Sequence, residues 1–297
     1  MRPGDELSRE ARSKPQAVSG AGYMLLGASL IQWSAAIVTH VFGQIGPSAT
    51  SAWRFFLGAI VLMAFTRPHL RSWTRQQWLG ALALGVSVAF MNQCFYQAIA
   101  RIPLGAAVAI EYLGPFMVSA LGKRSARHFV FVVLAGLGVL AIARPGAGLN
   151  YEGILFAAGS GVGWAAYVFA AHRVGGQAEG FGGLAVSMSI AALVTLPMTI
   201  GSSHFVLAHP TTLARLALVA VMAIVLGFGC EIQALRRLKP STAGVLFALD
   251  PAVAFAIGLI VLSQSIHPWD LVGMVCVVIA GAGVTYDAAN SKPTLVQ

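Results

Sequence analysis

The sequence predicts an all-α polytopic membrane protein whose ten transmembrane helices form two inverted five-helix repeats. Three observations predict it: the composition, ten apolar segments of membrane-spanning length, and an internal repeat. Of the 297 residues, 57% are hydrophobic and only 10% are charged. A water-soluble domain of ordinary proportions could not bury so much apolar surface. We therefore expect the chain to lie in a lipid bilayer.

Ten mostly apolar segments recur along the chain, and each is about as long as the helix that crosses roughly 30 Å of hydrocarbon. Residues 1–19 and 288–297 are polar and are expected to form cytoplasmic tails, of which the first is flexible. We predict spans at residues 20–41, 48–66, 77–99, 103–122, 128–144, 152–172, 182–201, 212–235, 240–263 and 268–287.

The basic residues orient the chain. With the amino terminus in the cytoplasm, Arg101, Arg144 and Arg215 lie outside, Arg54 lies within the membrane, and the rest of the 19 Lys and Arg residues lie inside. This bias predicts that both termini are cytoplasmic. The net charge of +9 is divided among short clusters between spans and forms no basic face, so we expect no nucleic-acid partner.

An internal repeat relates the two halves of the chain. Because a repeat of five spans is odd, the second unit, residues 148–287, enters the membrane from the side opposite to the first, residues 20–147. Chance matching of apolar segments is the alternative, but it accounts poorly for Cys, Gln, Arg and Pro in one register. At a shift of 136 residues the identities include Cys94 with Cys230, Gln97 with Gln233, Arg101 with Arg237 and Pro115 with Pro251.

Four ionisable side chains lie deep within predicted spans: Arg54, Glu111, Glu231 and Asp250. An ionised side chain at the bilayer centre costs about 2.5 to 3.5 kcal/mol on insertion-based scales, so such residues are expected to face a wet or mutually paired interior. We predict that they bind substrate or couple transport to protons. Two alternatives stay open: Arg54 snorkels toward a span end, and Asp250 braces a helix kink.

Pro115 and Pro251 occupy matched positions in the fourth and ninth spans. Proline has no amide hydrogen, so each leaves the carbonyl four residues earlier unpaired, on Glu111 and Phe247, and tends to kink its helix. Broken backbone bonding in a membrane is tolerated where it lines a protein-enclosed cavity. For the prolines alone, a packing kink satisfied by a neighbouring helix is the alternative.

Polar and aromatic side chains accompany these charges and are predicted to line the pathway. They suit a small zwitterion or a substituted organic cation, although Trp and Tyr also anchor spans at the membrane interface. No metalloprotease, nucleophile-elbow or phosphate-loop motif is present, so we expect no catalytic residue, metal or cofactor. The predicted pathway residues are Trp33, Asn92, Gln93, Tyr96, Gln97, Trp164, Tyr167 and Gln233.

The run YQAIARIPLGAAVAIEYLGPFMVSAL, at residues 96–121, resembles the fourth-span region of EamA-type permeases of the drug/metabolite transporter superfamily. The runs WRFFLGA and CEIQALRRLKPSTAGVLFALDPAVAFAIGLIVL also resemble that family, and the chain is most similar to its bacterial threonine and homoserine exporter branch. The resemblance covers residues 20 to 287 approximately. It implies ten helices around a central pathway in a bacterial inner membrane. It also implies that Glu111 corresponds to a glutamate in the family's fourth span and Glu231 to a glutamate in its eighth span. Arg54 would correspond to an arginine in the family's second span.

Two positions depart from the family's pattern. Asp250 stands where related sequences usually have glutamate, and the run LGFGC before Glu231 lacks the more polar, proline-containing pattern. A shorter carboxylate and a missing kink would each alter substrate choice or coupling.

We therefore expect a secondary transporter that exports an amino acid or related metabolite by alternating access, driven by protons or by the substrate's own gradient. Its partners would be that substrate, protons and lipid, and a homodimer is left open. Broad drug efflux and metabolite uptake are alternatives within the same class. Two alternatives come from other functional classes. One is a membrane-embedded enzyme that uses the carboxylates as an acid and base pair, and the other is a structural or sensory membrane protein.

Overall fold

The computed structural model describes residues 3–114, 126–143, 150–174, 181–238, 240–265 and 267–290. Within these ranges the chain is helical almost throughout and contains no β-strand. In chain order the helices are α1 (Pro3–Ile45), α2 (Pro47–Thr66), α3 (Arg75–Ile99), α4 (Leu104–Glu111), α5 (Ala126–Ala143), α6 (Tyr151–Val174), α7 (Phe181–Thr195), α8 (Pro197–Ile200), α9 (Ser203–Ala208), α10 (Pro210–Ala220), α11 (Phe228–Leu235), α12 (Pro240–Phe247), α13 (Asp250–Leu262) and α14 (Pro268–Asn290).

Each of the ten segments in which we predicted spans is mainly helical where it is described. The all-α prediction is therefore confirmed, whereas the number of spans and the inverted repeat stay predictions. Among the described residues, five helices are long and apolar enough to cross a membrane, and three shorter apolar helices accompany them. The five are Val18–Ile45, Pro47–Thr66, Arg75–Ile99, Pro210–Leu235 and Thr242–Leu262, and the shorter three are Phe129–Ile142, Phe181–Thr195 and Pro268–Val284.

The chain is helical in part of each predicted tail. α1 begins at Pro3, so the segment predicted as a flexible tail is helical from that residue onward. α14 continues to Asn290, a few residues beyond the predicted end of the tenth span. The boundaries of the two predicted repeats stay predictions.

Local sequence signals start several of the helices. α2 and α10 carry proline in the first turn, where the missing amide hydrogen has no helical partner to lose. Gly46, directly before α2, has a φ of 79°, which glycine adopts at little cost and which turns the chain between α1 and α2. α3 begins with a capping box, in which Thr74 and Gln77 satisfy each other's backbone amides.

Two eight-residue helices end at matched positions of the repeat. α4 spans Leu104–Glu111 and α12 spans Pro240–Phe247, and these ranges differ by the same 136 residues that relate the repeated sequences. Helical bonding then breaks at Tyr112 in one case and before Asp250 in the other, where α13 starts. The break before α13 lies where we expected Pro251 to kink the chain. Pro115 lies outside the described residues.

Glycines bring the helices close together. A Cβ atom on Gly27 of α1 would lie 2.9 Å from the carbonyl oxygen of Gly227, and one on Gly161 of α6 would lie 2.8 Å from the carbonyl oxygen of Glu111. Small residues permit such backbone contacts in membranes, where packing rather than the hydrophobic effect holds helices together. α6 therefore presses directly on the end of α4, and α1 presses on the start of α11.

We expect Gly27→Leu to destabilise the fold, because its side chain would collide with the backbone of Gly227, and overpacking costs about 1 to 3 kcal/mol. The matched control is Gly22→Leu on the same helix, where a Cβ would meet nothing within 4 Å. The measurement is the midpoint of thermal unfolding in detergent. Equal midpoints for the two variants would contradict the α1–α11 packing.

Candidate functional site

Three carboxylates converge on Tyr112. Glu111 ends α4, Asp250 begins α13, and Glu231 lies in the first turn of α11. All three lie within electrostatic range of the Tyr112 side chain. Glu111 and Asp250 are each 8% exposed, and Glu231 is half-buried. The structure therefore brings together three of the four charges that the sequence singled out.

Tyr112 joins the two predicted repeats at the break after α4. Its hydroxyl donates a hydrogen bond of 2.5 Å to Oδ2 of Asp250. Its ring meets the Trp164 ring of α6 edge to face, with the centroids 4.6 Å apart. The sequence analysis missed this tyrosine because a single aromatic residue in an apolar span is ordinary. The available signal was its place directly after Glu111, inside the segment in which we predicted a kink from the sequence.

Ser160 of α6 is the hydrogen-bond partner of Glu111. Its hydroxyl donates to Oε1 of Glu111 and also lies 2.9 Å from the carbonyl oxygen of Met91 in α3. A hydroxyl has one hydrogen, so it can donate to only one of these oxygens at a time. The sequence analysis missed Ser160, and its position within one helical turn of the predicted pathway residue Trp164 was the signal for a polar contact.

Asp250 keeps one unused acceptor. Its Oδ1 atom is buried and has no hydrogen-bond partner among the described residues. As the first residue of α13, the carboxylate lies at a helix amino terminus, where the helix dipole favours negative charge. The dipole thus stabilises Asp250 without satisfying its second oxygen.

Glu231 follows an irregular turn. Residues Val221–Gly227 form a π-helical stretch between α10 and α11, so the helix is distorted here although the run LGFGC contains no proline. π-helical turns are frequent at functional sites. Gly27 of α1 lies against the Glu231 side chain. Within the described residues, Glu231 makes no ion pair.

Within the described part of the chain, the three carboxylates have few hydrogen-bond donors and no cationic partner. The described ranges contain one ion pair, between Arg101 and Glu152 at 3.3 Å, and it lies elsewhere. Only the hydroxyls of Tyr112 and Ser160 donate to the cluster among the contacts of the described side chains. Ionised carboxylates repel one another strongly in a medium of low dielectric. The arrangement therefore suits protons or a cationic ligand group with several N–H donors.

Arg54 belongs to a different cluster, between α2 and α3. Its Nη2 atom donates to Oδ1 of Asn92, and its guanidinium lies over the Tyr96 ring, 4.9 Å from the centroid. Arg54 is 5% exposed, so its head does not snorkel into water. It makes no ion pair with any described carboxylate. In this conformation Arg54 is therefore not the counter-ion of the acidic cluster.

Three glutamines predicted to line the pathway make bonds near helix ends. Gln93 and Gln97 of α3 donate to the carbonyl and the hydroxyl of Ser48, at 3.3 Å and 2.7 Å. Gln233 accepts from Arg237 at 2.6 Å. These bonds connect α3 to the start of α2 and support the end of α11.

The remaining aromatic candidates lie at the periphery. Trp33 is 46% and Tyr167 is 36% exposed, although Tyr167 stays within electrostatic range of Glu231. Their exposure matches the alternative role of aromatic anchors that the sequence left open. No group of His, Cys, Asp and Glu side chains within the described ranges is placed to hold a metal ion.

Comparisons with known proteins identify relatives. A sequence model described as the EamA-like transporter family matches residues 151–286. The threonine/homoserine exporter RhtA of Escherichia coli strain K12 is 32% identical over 265 residues, which cover 88% of this chain and 90% of the exporter. The exporter of the same name from Salmonella typhimurium strain LT2 has the same identity and coverage. One solved crystal structure matches in fold with a TM-score of 0.57 at 17% identity, over 91% of this chain and 99% of that one.

We expect the hydroxyl of Tyr112 and the carboxylate of Asp250 to be energetically coupled. A double-mutant cycle with Tyr112→Phe and Asp250→Ala should give a coupling of about 1.5 to 3 kcal/mol, because the hydrogen bond is to a charged group. The measurement is the free energy of unfolding by SDS in mixed micelles. Tyr151→Phe, at a position 72% exposed, is the control and should be additive with Asp250→Ala. Additive effects of the Tyr112 and Asp250 changes would show that the bond contributes nothing.

Proposed function

This chain belongs to the EamA-like transporter family, and from that premise we propose that it is a secondary active transporter exporting an amino acid or related metabolite across the bacterial cytoplasmic membrane. The observation that carries the proposal is the group of three carboxylates, which has no cationic partner among the described residues. That its relatives are named as threonine and homoserine exporters supports both transport rather than catalysis and an amino-acid substrate.

The acidic cluster provides acceptors for the ammonium group of such a substrate. An ammonium group presents three N–H donors and no acceptor, and a cluster that is rich in acceptors matches it. Oδ1 of Asp250 is buried and has no partner among the described residues, and the carboxylate of Glu231 makes no ion pair there. A substrate ammonium would satisfy both the unused acceptors and the negative charge.

Protons are the second cation that the cluster would take. When the substrate leaves, the acidic side chains need another positive charge, since ionised groups deep in a membrane are costly. Exchange of an ammonium group for a proton on Glu111, Glu231 or Asp250 would couple export to the proton gradient. The hydroxyl of Ser160 supports this exchange, because it can turn from Glu111 toward the carbonyl of Met91 when Glu111 is protonated.

Alternating access would use the two matched helix breaks. α4 and α12 are equal in length and end at corresponding positions of the repeat, and this supports inverted halves that rock about a central site. The hydrogen bond from Tyr112 to Asp250 spans the two halves. Rocking would break this bond and expose Asp250 to the opposite side of the membrane.

We expect Glu111→Gln, Glu231→Gln and Asp250→Asn each to lower the transport rate at least about tenfold, since a hydrogen bond to a charged group contributes about 1.5 to 3 kcal/mol. The measurement is counterflow of radiolabelled threonine in proteoliposomes. Glu152→Gln is the control, because this glutamate is paired with Arg101 at a position 72% exposed and should leave the rate within about twofold. Wild-type rates in all three cluster variants would remove the carboxylates from the pathway.

A substrate panel separates amino-acid export from broad efflux. We expect threonine and homoserine to exchange in counterflow, whereas tetraphenylphosphonium, a cation without N–H donors, should not. The reason is that carboxylates with unused lone pairs need donors as well as charge. Movement of tetraphenylphosphonium that is faster than in protein-free liposomes, which this lipophilic cation also crosses, would favour a broad-specificity permease.

A further inference from the structure

Arg54 carries a positive charge that no described residue neutralises. The side chain is 5% exposed, and its Nη2 atom donates to the neutral amide oxygen of Asn92. Asn92 in turn donates through Nδ2 to the carbonyl oxygen of Val88 at 3.1 Å, which fixes the amide so that its oxygen faces the guanidinium. Asn92 therefore orients Arg54 but leaves its charge in place.

The surroundings of Arg54 offer further unused donors. Nε of Arg54, Oγ of Ser51 and the hydroxyl of Tyr96 are buried, and none of them has a hydrogen-bond partner among the described residues. Ser51 lies three residues before Arg54 on α2 and so shares its helix face. The Tyr96 ring lies beneath the guanidinium. Each of these groups carries a hydrogen that it can donate, so this cluster has an excess of donors as well as of positive charge.

The cluster around Arg54 has an excess of donors and positive charge, whereas the acidic cluster has an excess of acceptors and negative charge. There the unused atom is an acceptor, Oδ1 of Asp250, and the charge is negative. A buried cation without a counter-ion is costly in a protein interior. A bound anion would remove that cost, and a carboxylate fits best because a guanidinium binds one through two parallel hydrogen bonds.

α3 connects the two clusters through adjacent residues. The carbonyl oxygen of Met91 accepts from Ser160, the partner of Glu111, whereas the next residue, Asn92, holds Arg54. Cys94 lies within electrostatic range of Glu111. A donor-rich and an acceptor-rich cluster thus lie against neighbouring positions of one helix.

We propose that Arg54, with Ser51, Asn92 and Tyr96, is the anion subsite of the transporter and binds the carboxylate of the exported amino acid. This inference rests on the proposed function, and it sharpens the substrate class to zwitterions with a free carboxylate. Amines, amino-acid amides and organic cations would lack the group that Arg54 requires.

The test compares threonine with threoninamide, which lacks the carboxylate. Binding is measured by calorimetry on the purified full chain in a zwitterionic buffer of low ionic strength without added chloride or sulfate, since either anion could occupy the subsite. The wild type should bind threonine at least about tenfold more tightly than threoninamide. Arg54→Gln, which keeps an amide donor for Asn92 but loses the charge, should bind both with the same weak affinity. Arg101→Gln, which removes an arginine near a helix end, is the control and should keep the preference.

Thermal unfolding of the same variants distinguishes a subsite from a structural arginine. Without ligand, Arg54→Gln should unfold at the wild-type temperature or above it, because an unpaired buried charge has been removed, and threonine should no longer raise that temperature. A lower midpoint without ligand, together with an unchanged threonine shift, would assign Arg54 to the scaffold and overturn the proposal.

A free anion is the other source of the same chemistry. If added chloride stabilises the wild type but not Arg54→Gln, and threonine and threoninamide bind equally, Arg54 holds an inorganic anion and the proposal is overturned. Threonine counterflow in wild-type proteoliposomes is measured alongside. If threonine moves in counterflow but threoninamide binds as tightly as threonine, only the Arg54 assignment is overturned. If no amino acid moves in counterflow, the proposed function itself is overturned.

Discussion

Inside a bilayer, a polar group can be satisfied only by the protein or by a ligand, since the lipid offers neither donors nor acceptors. Many hydroxyls of this chain meet that requirement within their own helix: Thr50 donates to the carbonyl of Gly46 at 2.6 Å and Thr195 to that of Ala191 at 2.8 Å. Because such bonds are common in this chain, a buried polar atom without a partner points to a ligand. The buried atoms that remain without partners among the described residues include Oδ1 of Asp250 and Nε of Arg54, and these two atoms belong to the two charged clusters.

The predicted repeats have the same framework but different chemistry. Both contain an eight-residue helix that ends at the same position of the repeat. The acidic residues do not share this symmetry: Glu111 corresponds to Phe247, and Asp250 corresponds to Gly114. Each half therefore supplies a carboxylate at a position where the other half has an uncharged residue. The acidic cluster is built from both halves, and Tyr112 provides the bond between them.

Much of the fold could be predicted because it depends on patterns along the chain. Apolar segments located the helices, and the prolines indicated where α12 gives way to α13. The separation of Arg54 from the acidic cluster could not be predicted, because helical periodicity tells which residues share a face but not which helix that face meets. Tyr112 and Ser160 were missed for the same reason: their roles come from contacts with Asp250 and Glu111 on other helices. The π-helical stretch before α11 has no proline or other marker in the sequence.

The π-helical stretch Val221–Gly227 determines the direction in which Glu231 points from the helix axis. Successive residues of an α-helix are about 100° apart around its axis, and a π-helical turn holds about one residue more than an α-helical one. The extra residue in Val221–Gly227 therefore changes the phase of everything that follows, and it places Glu231 rather than a neighbour toward the carboxylates. The acidic cluster thus depends on chain length as well as on side-chain identity. Loss of one residue from this stretch, which contains no ionisable side chain, would rotate Glu231 out of the cluster, with every ionisable residue still present.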